Sequence, residues 1–334
     1  MTTLLVASGG GHLKQLVEIA PRLRGVDDDY LWVTWESAQS RSLLDGRDVV
    51  YVRPTRPRAP IGVARNFDYA LSLWRRPDVR ALVTTGSQVV LPFLVLGTAV
   101  GKPCHFIESA ARSDGPSLSG KISTFLPGMR LYTQYRHWED KRWEYVGSVF
   151  DGFDAVTKDA TEKIGPKRVV VTLGTLPRWE FRRLVDACVR VIPAGSDVLW
   201  QTGATDVSDL PIQARESVPA AELELATAAA DVVISHAGVG SALTALRCGK
   251  RPILVPREAV RGEHVDDHQQ QIAAELSDRN LAVVRSPETL SAADLEEAGR
   301  VGVVLPETLP PINLHPPKDR SSTARRLRIP GRAR

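Results

Sequence analysis

The stretch VASGGGHLKQL, residues 6–16, joins a short apolar run to a segment with helical periodicity. Three consecutive glycines and a histidine form the junction between them. Glycine tolerates positive φ angles and lets the backbone approach a ligand closely. The stretch therefore predicts a strand–turn–helix unit, with three interpretations: a nucleotide cradle, a tight structural turn or a catalytic loop.

The alternation of β-rich runs and helical segments continues through the first half of the chain. Strands are predicted at TLLVAS, YLWVTW, DVVYV, ALVTT, PCHFIES and RLYTQ. Helices are predicted near residues 12–24, 61–76, 88–101 and 135–141. Continuous apolar strands that alternate with helices predict a parallel sheet covered on both faces.

The pattern then restarts at KRVVVTLGT, residues 167–175. Further strands are predicted at DVLWQTG, DVVISHAG, RPILVP and NLAVVRS. Helices are predicted near residues 179–191, 239–248, 265–278 and 291–299. The sequence thus predicts an α/β fold of two doubly wound, Rossmann-like domains with a cleft between them, and ligands bind beyond the carboxyl ends of such strands.

Composition and periodicity also suggest the domain boundaries. Residues 1–150 form the first domain, and residues 151–166 have the weak periodicity of a linker. The second domain covers residues 167–305. Residues 306–334 are rich in Pro and then in Arg, which predicts a disordered tail.

The composition is that of an ordinary globular protein, with 43% hydrophobic and 25% charged residues. Cys104, Cys188 and Cys248 are widely spaced, which favours a reducing compartment over a disulfide framework or a thiolate zinc site. No signal peptide is apparent. The longest apolar run, residues 89–100, falls short of the roughly 20 residues that span a bilayer. We expect a cytoplasmic protein, and peripheral attachment to the plasma membrane remains open.

Charge is distributed unevenly along the chain. Residues 1–150 carry 19 Lys and Arg against 14 Asp and Glu, whereas residues 151–317 carry 17 against 24. Seven arginines lie between Arg53 and Arg80. They form either a solvated surface or a contact with an anionic partner such as a membrane surface. No nucleic-acid partner is expected, and the sequence does not indicate an oligomeric state.

Two familiar phosphate motifs are excluded. A dinucleotide fingerprint would continue Gly9 and Gly11 with a third glycine, but that position holds Lys14. The segment GPSLSGKI, residues 115–122, has the spacing of a phosphate loop. Ile122, however, occupies the place of the hydroxyl residue that would bind magnesium.

The segment ISHAGVGSALTAL, residues 234–246, is more informative. Its glycines would let backbone N–H groups approach an anion at a helix N-terminus. A tight packing turn is the alternative. Because Gly174 and Thr175 end another strand in the same way, the two turns together predict a diphosphate pocket.

The segment EHVDDHQQQIAAEL, residues 263–276, begins a helix with acidic residues, which suits the positive end of its dipole. His264 and His268 are four residues apart, so both could face a metal ion. No third ligand is apparent, and the acidic residues equally suit ribose hydroxyls. We therefore predict neither a metal site nor a cofactor.

Taken together, these motifs resemble the inverting GT-B glycosyltransferases related to the enzyme that adds N-acetylglucosamine to lipid I. The closest resemblance is to the two-part capsule and exopolysaccharide transferases of bacteria, here with both parts fused over roughly residues 1–300. The first half resembles them through SGGGH, TTGSQVVLPFLVLGTAVGKP and FIESAARSDGPSLSGK. The second half resembles them through VTLGT, WQTG, ISHAGVGS and VPREAVRGEHVDDHQ.

The resemblance implies an acceptor-binding first half and a second half that binds a UDP-sugar. His12 and Glu108 then stand at the positions of a candidate base and an acceptor-contacting acid, and either could be the base. The other acceptor-side positions are Gly10, Gly11, Gly86 and Ser87. The implied nucleotide-sugar positions are Gly174, Thr175, Gln201, Gly203, His236, Gly238, Gly240, Ser241, Glu258, Glu263, Asp267, His268 and Gln269.

The activity implied is a metal-independent, inverting hexosyltransferase. It would move sugar from a UDP-sugar to a lipid-linked or oligosaccharide acceptor in cell-envelope or exopolysaccharide synthesis. A histidine suits the deprotonation of the acceptor hydroxyl because its pKa lies near working pH. A nucleotide-sugar epimerase or hydrolase, and a non-catalytic nucleotide-sugar-binding partner, are the alternatives.

The chain departs from the family at two places. It lacks the membrane helix of the related eukaryotic acceptor subunit. Prolines after residue 305 also argue against the C-terminal helix that often packs across the cleft.

Overall fold

The computed structural model describes residues 1–55, 60–158, 166–175, 178–305 and 308–315. Two parallel sheets organise these residues, one from each half of the chain. This architecture confirms the predicted α/β fold with two Rossmann-like units.

The described residues of the first half form eight short strands. They are β1 (Thr2–Val6), β2 (Leu23–Arg24), β3 (Asp29–Trp35), β4 (Val49–Val52), β5 (Val79–Thr84), β6 (Cys104–Ile107), β7 (Arg130–Thr133) and β8 (Trp143–Tyr145). All but β2 pair in parallel in the order β4-β3-β1-β5-β6-β7-β8.

Helices cover both faces of this sheet. They are α1 (Gly11–Ile19), α2 (Ala38–Leu43), α3 (Pro60–Ala64), α4 (Phe67–Trp74), α5 (Leu91–Ala99) and α6 (Leu118–Ser123). Alternation along β1 assigns its side chains to different faces. Leu5 packs with Leu13 of α1, whereas Leu4 packs with Phe93 of α5.

Nine further strands lie in the part of the second half that the structure describes. They are β9 (Asp154–Thr157), β10 (Arg168–Thr172), β11 (Asp197–Gln201), β12 (Ala214–Arg215), β13 (Val232–His236), β14 (Ile253–Val255), β15 (Val283–Val284), β16 (Val301–Val304) and β17 (Ile312–Asn313). Six of them form a parallel sheet in the order β12-β11-β10-β13-β14-β15.

Within the described residues, five helices accompany this second sheet. They are α7 (Arg182–Val191), α8 (Ala220–Ala229), α9 (Val239–Arg247), α10 (His268–Asp278) and α11 (Ala292–Gly299). Single 3₁₀ turns occur at Ala20–Arg22, Gln88–Val90, Arg136–Trp138 and Ala259–Arg261.

Helical content differs from the sequence prediction at several elements, and the short helices α2 and α6 were not predicted. The helix predicted near residues 135–141 is only a 3₁₀ turn, Arg136–Trp138. Helix α8 was not predicted, because the apolar and charged residues of AAELELATAA do not separate into one apolar stripe. Among the described residues, no helix is both long enough and apolar enough to cross a membrane.

Two small pairings lie in segments predicted as linker and tail. Strand β9 falls within the predicted linker and pairs antiparallel with β16. Strand β17 falls within the predicted disordered tail and pairs with β2, so this segment is ordered where the prediction was disorder. The Arg-rich end of the predicted tail lies outside the described residues.

Helix α1 of the first half packs directly against α9 of the second. Leu13 of α1 and Leu243 of α9 belong to one buried core. At the ends of these helices the backbones nearly touch, since a methyl group on Gly240 would lie 3.2 Å from Cα of Gly11. The two glycine turns singled out in the sequence therefore meet across the cleft.

Charged side chains surround this helix contact. Lys14 in α1 pairs with Glu224 in α8 at 2.8 Å, and Arg247 in α9 pairs with Glu18 in α1 at 3.0 Å. Lys14 and Glu18 are largely buried, so these pairs are only weakly screened by salt. They help to fix the relative position of the two helices.

Candidate functional site

His12 is the second residue of α1 and lies at the mouth of the cleft. Its Nδ1 donates a hydrogen bond to the carbonyl oxygen of Thr85 at 2.8 Å, while the Thr85 hydroxyl donates to the carbonyl of His12. Nδ1 therefore carries the proton, and Nε2 has a free lone pair. Among the described residues nothing hydrogen-bonds Nε2, so it is available to accept a proton.

The environment keeps His12 neutral. Burial, with smaller contributions from the charges of His268 and Arg112, lowers the pKa of His12 to about 4. His268 comes from the second half, so the donor-side helix α10 contributes to the electrostatics around His12. This pKa lies below the working range expected from sequence, which ensures that the imidazole is unprotonated near neutral pH.

The turn after β5 carries Gly86 and Ser87 beside His12. Both residues have positive φ, 95° and 86°. Such a conformation is strained for serine, and strained backbone residues cluster at ligand sites. A methyl group on Gly86 would lie 3.7 Å from Cε1 of His12, so this turn and the histidine form one surface.

Gly10 also adopts a conformation that favours glycine, with φ 79° and ψ −138° at the start of α1. A side chain at Gly10 would project into open space, because no atom lies within 4 Å of the position a methyl would take. Gly10 thus leaves open space at the start of α1.

Glu108 is fully buried and engaged by its own loop. Its carboxylate accepts hydrogen bonds from the backbone N–H groups of Ser109 and Ser117, and from the Ser117 hydroxyl. Burial raises the pKa of Glu108 despite these bonds. A methyl on Gly120 would lie 2.2 Å from Oε2, so no acceptor can approach from that side. This environment favours a role in holding the loop 109–117.

The glycine turns of the second half converge on His236. A methyl on Gly174 would lie 2.8 Å from Cε1 of His236, and one on Gly238 would lie 2.4 Å from its Nε2. Gly203 lies against the same turn, since its methyl would meet the carbonyl of Gly174 at 2.6 Å. Only glycines fit these contacts, and the structure brings these predicted site residues together.

Helix α9 begins immediately after Gly238. No side chain caps its N-terminus among the described residues, so its first N–H groups remain free for an anion. Gly240 and Ser241 stand in the first turn of the helix, and Ser241 is half-buried. Thr175, also half-buried, follows the opposite turn. The diphosphate positions expected from sequence thus share one edge of the second sheet.

Both polar atoms of the Gln201 side chain are hydrogen-bonded within the protein. Its amide donates to the hydroxyl of Thr172 at 2.9 Å and accepts from the N–H of Val218 at 3.0 Å. It supports the nucleotide side of the sheet from within, where the sequence suggested a pocket-lining role.

The acidic residues before α10 are also held by protein partners. Arg183 bonds both carboxylate oxygens of Glu263, at 2.8 and 3.0 Å, and reaches Glu258 at 3.1 Å. Asp267 accepts from the N–H of Ala259, and Gln269 accepts from that of Arg257. Arg183 was missed in the sequence because it lies in another element, α7.

His264, Asp266 and His268 form a compact cluster whose ligand atoms lie within 4.8 Å of one another. Asp266 is the third group that spacing alone did not identify. Nδ1 of His268 donates a hydrogen bond to the carboxylate of Asp266. This bond is the main cause that holds the pKa of Asp266 well below the usual range. These residues could hold a metal ion.

Arg112 links this cluster to the first half of the chain. Its guanidinium bonds Asp266 at 2.8 Å across the cleft. Trp179, which follows the Gly174 turn, stacks on His264 with ring centroids 5.6 Å apart. Neither residue was predicted, because both contacts depend on elements that are distant in sequence.

Comparison with known proteins identifies this arrangement. Residues 168–298 match the sequence profile of the Glycosyltransferase family 28 C-terminal domain. The fold superposes on the crystal structure of MurG from Acinetobacter baumannii with a TM-score of 0.54, at 16% identity and with 89% of each chain covered.

Sequence similarity extends over both halves. A UDP-N-acetylglucosamine--N-acetylmuramyl-(pentapeptide) pyrophosphoryl-undecaprenol N-acetylglucosamine transferase, from Polynucleobacter asymbioticus, is 24% identical over 321 residues. The alignment covers 88% of this chain and 87% of the relative. This chain is a GT-B glycosyltransferase related to the lipid I N-acetylglucosaminyltransferases.

A second relative of this glycosyltransferase is the UDP-N-acetylglucosamine transferase subunit ALG13 of Yarrowia lipolytica. It is 42% identical over 81 residues, which cover 24% of this chain and 39% of that protein. The predicted resemblance to glycosyltransferases is thereby confirmed.

Proposed function

We propose that this glycosyltransferase is an inverting, metal-independent hexosyltransferase. It moves a sugar from a UDP-sugar to a lipid-diphosphate-linked saccharide in cell-envelope or exopolysaccharide synthesis. The relatives support this assignment, because their names specify UDP-N-acetylglucosamine and a pyrophosphoryl-undecaprenol acceptor. We propose residues 1–150 as the acceptor domain, 151–166 as linker, 167–305 as the donor domain and 306–334 as a tail.

One observation carries the mechanism: His12 presents a free Nε2 where Gly11 meets Gly240. A base on the acceptor side thus faces the helix N-terminus that suits a diphosphate. Inverting transfer requires these two groups on opposite sides of the anomeric carbon. The contact between the two turns also implies that the domains must separate for a sugar to enter.

In the proposed reaction, Nε2 of His12 accepts the proton of the acceptor hydroxyl as that oxygen attacks the anomeric carbon. The bond between the sugar and the β-phosphate breaks, and UDP leaves with the electron pair. The N-terminal N–H groups of α9 stabilise the charge that develops on the leaving diphosphate. Glu108 holds the acceptor loop, which makes His12 the preferred base.

Peripheral membrane attachment on the cytoplasmic face belongs to the same proposal. Helices α3 to α6 lie on the outer side of the first sheet, and several large apolar side chains there are exposed. They are Ile61, Phe67, Leu71, Val95, Val100, Leu118, Ile122 and Phe125. Basic residues such as Arg65 and Lys121 accompany them. An apolar surface with basic residues suits an anionic bilayer that carries the lipid acceptor.

An assay of UDP release tests the function. UDP-, GDP- and TDP-sugars are supplied with and without polyprenyl-diphosphate-linked saccharides. Release that requires both a UDP-sugar and the lipid acceptor supports the proposal. Release without acceptor indicates a hydrolase or epimerase, and UDP binding without turnover indicates a non-catalytic partner.

A further inference from the structure

Arg257 follows β14 and is one of the largest fully buried side chains, with 2% of its surface exposed. Arginine is almost never buried to this extent unless its charge is paired. No role was predicted for Arg257 from the sequence, although it lies within the VPREAVRGEHVDDHQ motif.

Its guanidinium has few partners. One terminal nitrogen donates to the carbonyl oxygen of Leu173 at 3.0 Å, and Cζ lies 5.5 Å from the ring centre of Phe181. The Nε atom is buried and has no hydrogen-bond partner. Among the described residues, no carboxylate forms an ion pair with Arg257.

The nearest compensating acid is already engaged. Glu263 is the carboxylate that favours the charged form of Arg257, but Arg183 bonds both of its oxygens. Burial consequently lowers the pKa of Arg257 to about 10. The guanidinium is still protonated at neutral pH, so a positive charge without an ion pair of its own is buried here.

Neighbouring imidazoles do not offset that charge. Burial is the main cause that lowers the pKa of His236, and the positive charge of Arg257 is the second-largest cause. His264 is kept neutral as well, with a pKa of about 4, and its buried Nδ1 also has no hydrogen-bond partner. The two imidazoles therefore add no charge of their own, and Arg257 is the buried cation beside these turns.

This charge lies directly beneath the diphosphate turn. Leu173, whose carbonyl Arg257 bonds, precedes Gly174, and the Gly174 turn packs on His236. The backbone N–H of Arg257 is fixed by Gln269, which anchors it to α10. The free N-terminus of α9 faces the same turn, so a diphosphate there would meet two sources of positive potential.

We propose that Arg257 is a positioning residue that supports the Leu173–Gly174 turn and leaves a positive charge for the diphosphate of the bound nucleotide to balance. This inference rests on the proposed function. It implies that the diphosphate leaving group supplies much of the binding free energy of the nucleotide. The buried charge of Arg257 is costly in the free protein, and a bound diphosphate compensates it.

Calorimetric titration with uridine, UMP and UDP tests the inference on Arg257→Met, Arg257→Lys and wild type. We expect Arg257→Met to weaken UDP binding by about tenfold or more, and uridine binding by less than about twofold. Arg257→Lys keeps a charge and should retain part of the affinity for UDP. Arg182→Met removes a surface arginine from the neighbouring helix and should leave all three affinities unchanged.

Thermal unfolding without ligand provides a second readout. Removing an uncompensated charge should leave the Tm of Arg257→Met equal to or above that of wild type, whereas a purely structural arginine would lower it. The inference is overturned if Arg257→Met binds UDP normally, if its affinity for uridine falls as much as its affinity for UDP, or if it does not fold. If wild type binds neither UDP nor inorganic pyrophosphate, the proposed function fails as well.

Discussion

At the scale of single residues, His12 is the proposed base, and its Nδ1 is bonded to the carbonyl oxygen of Thr85. Replacing His12 by Ala removes the free Nε2 but leaves the donor turns intact. We expect kcat to fall by about 10²- to 10⁴-fold, with UDP affinity changed by less than about twofold. Steady-state kinetics and calorimetric titration measure the two effects. Near-normal turnover would exclude His12 as the base.

The Glu108→Gln variant, together with a pH profile, separates His12 from Glu108 as candidate bases. Because the pKa of His12 is lowered to about 4, turnover should stay level from pH 8 to about pH 6 and decline only in more acidic buffer. Glu108→Gln should mainly lower the Tm, since Glu108 accepts three hydrogen bonds within its loop. Abolished turnover with an unchanged Tm in that variant would instead identify Glu108 as the base.

At the scale of elements, the contact between α1 and α9 sets the distance between base and leaving-group turn. Gly240→Val places a branched side chain where even a methyl would lie 3.2 Å from Gly11. We expect sugar transfer to drop by about tenfold or more, and stability to fall by about 1–3 kcal/mol. Gly240→Ala should give a smaller effect in the same assays.

The matched control for this contact is Gly299→Ala in α11, where a methyl would make only ordinary contacts at 3.8 and 4.0 Å. Stability there should be unchanged or slightly higher, because alanine favours the helix. Equal losses in the Gly299 and Gly240 variants would mean that the interdomain contact is unimportant.

Elements with a clear local pattern were predictable from sequence. Continuous apolar strands such as β1 and β13, and the glycine turns after them, follow from residue type alone. The partners of Glu258, Glu263 and Gln201 were not predictable, because each is engaged by a side chain or backbone group from another element. Local pattern thus located the site, but only the fold shows which of its polar groups are free to meet a ligand.

At the scale of the whole molecule, several histidines are buried in the neutral form. The pKa of His12, His105 and His264 falls to about 4, and that of His236 well below its ordinary value, with burial the main cause in each case. In the unfolded chain they bind protons below about pH 6.5. Stability should therefore be fully present above that pH and decline as the pH falls towards 4.

His105 offers the variant for this test, because it lies outside the proposed site and stacks on Tyr132. It should account for about 1 kcal/mol of the loss between pH 7.5 and 5.5. His105→Phe should reduce the drop in Tm across this range, as measured by differential scanning fluorimetry. An identical pH dependence in wild type and variant would contradict this account.

The surface of the whole molecule is also asymmetric, because the first domain exposes both apolar side chains and excess basic charge. Phe125 is 87% exposed at the end of α6. We expect vesicles that contain phosphatidylglycerol to bind the protein more tightly than phosphatidylcholine vesicles, and added salt to weaken that binding. Phe125→Asp should reduce co-sedimentation several-fold, since it removes apolar area and introduces a negative charge.

Val260, 89% exposed on the donor domain, provides the control, and Val260→Asp should bind like wild type. Equal losses in both variants, or no binding at any salt concentration, would argue against membrane attachment through this surface.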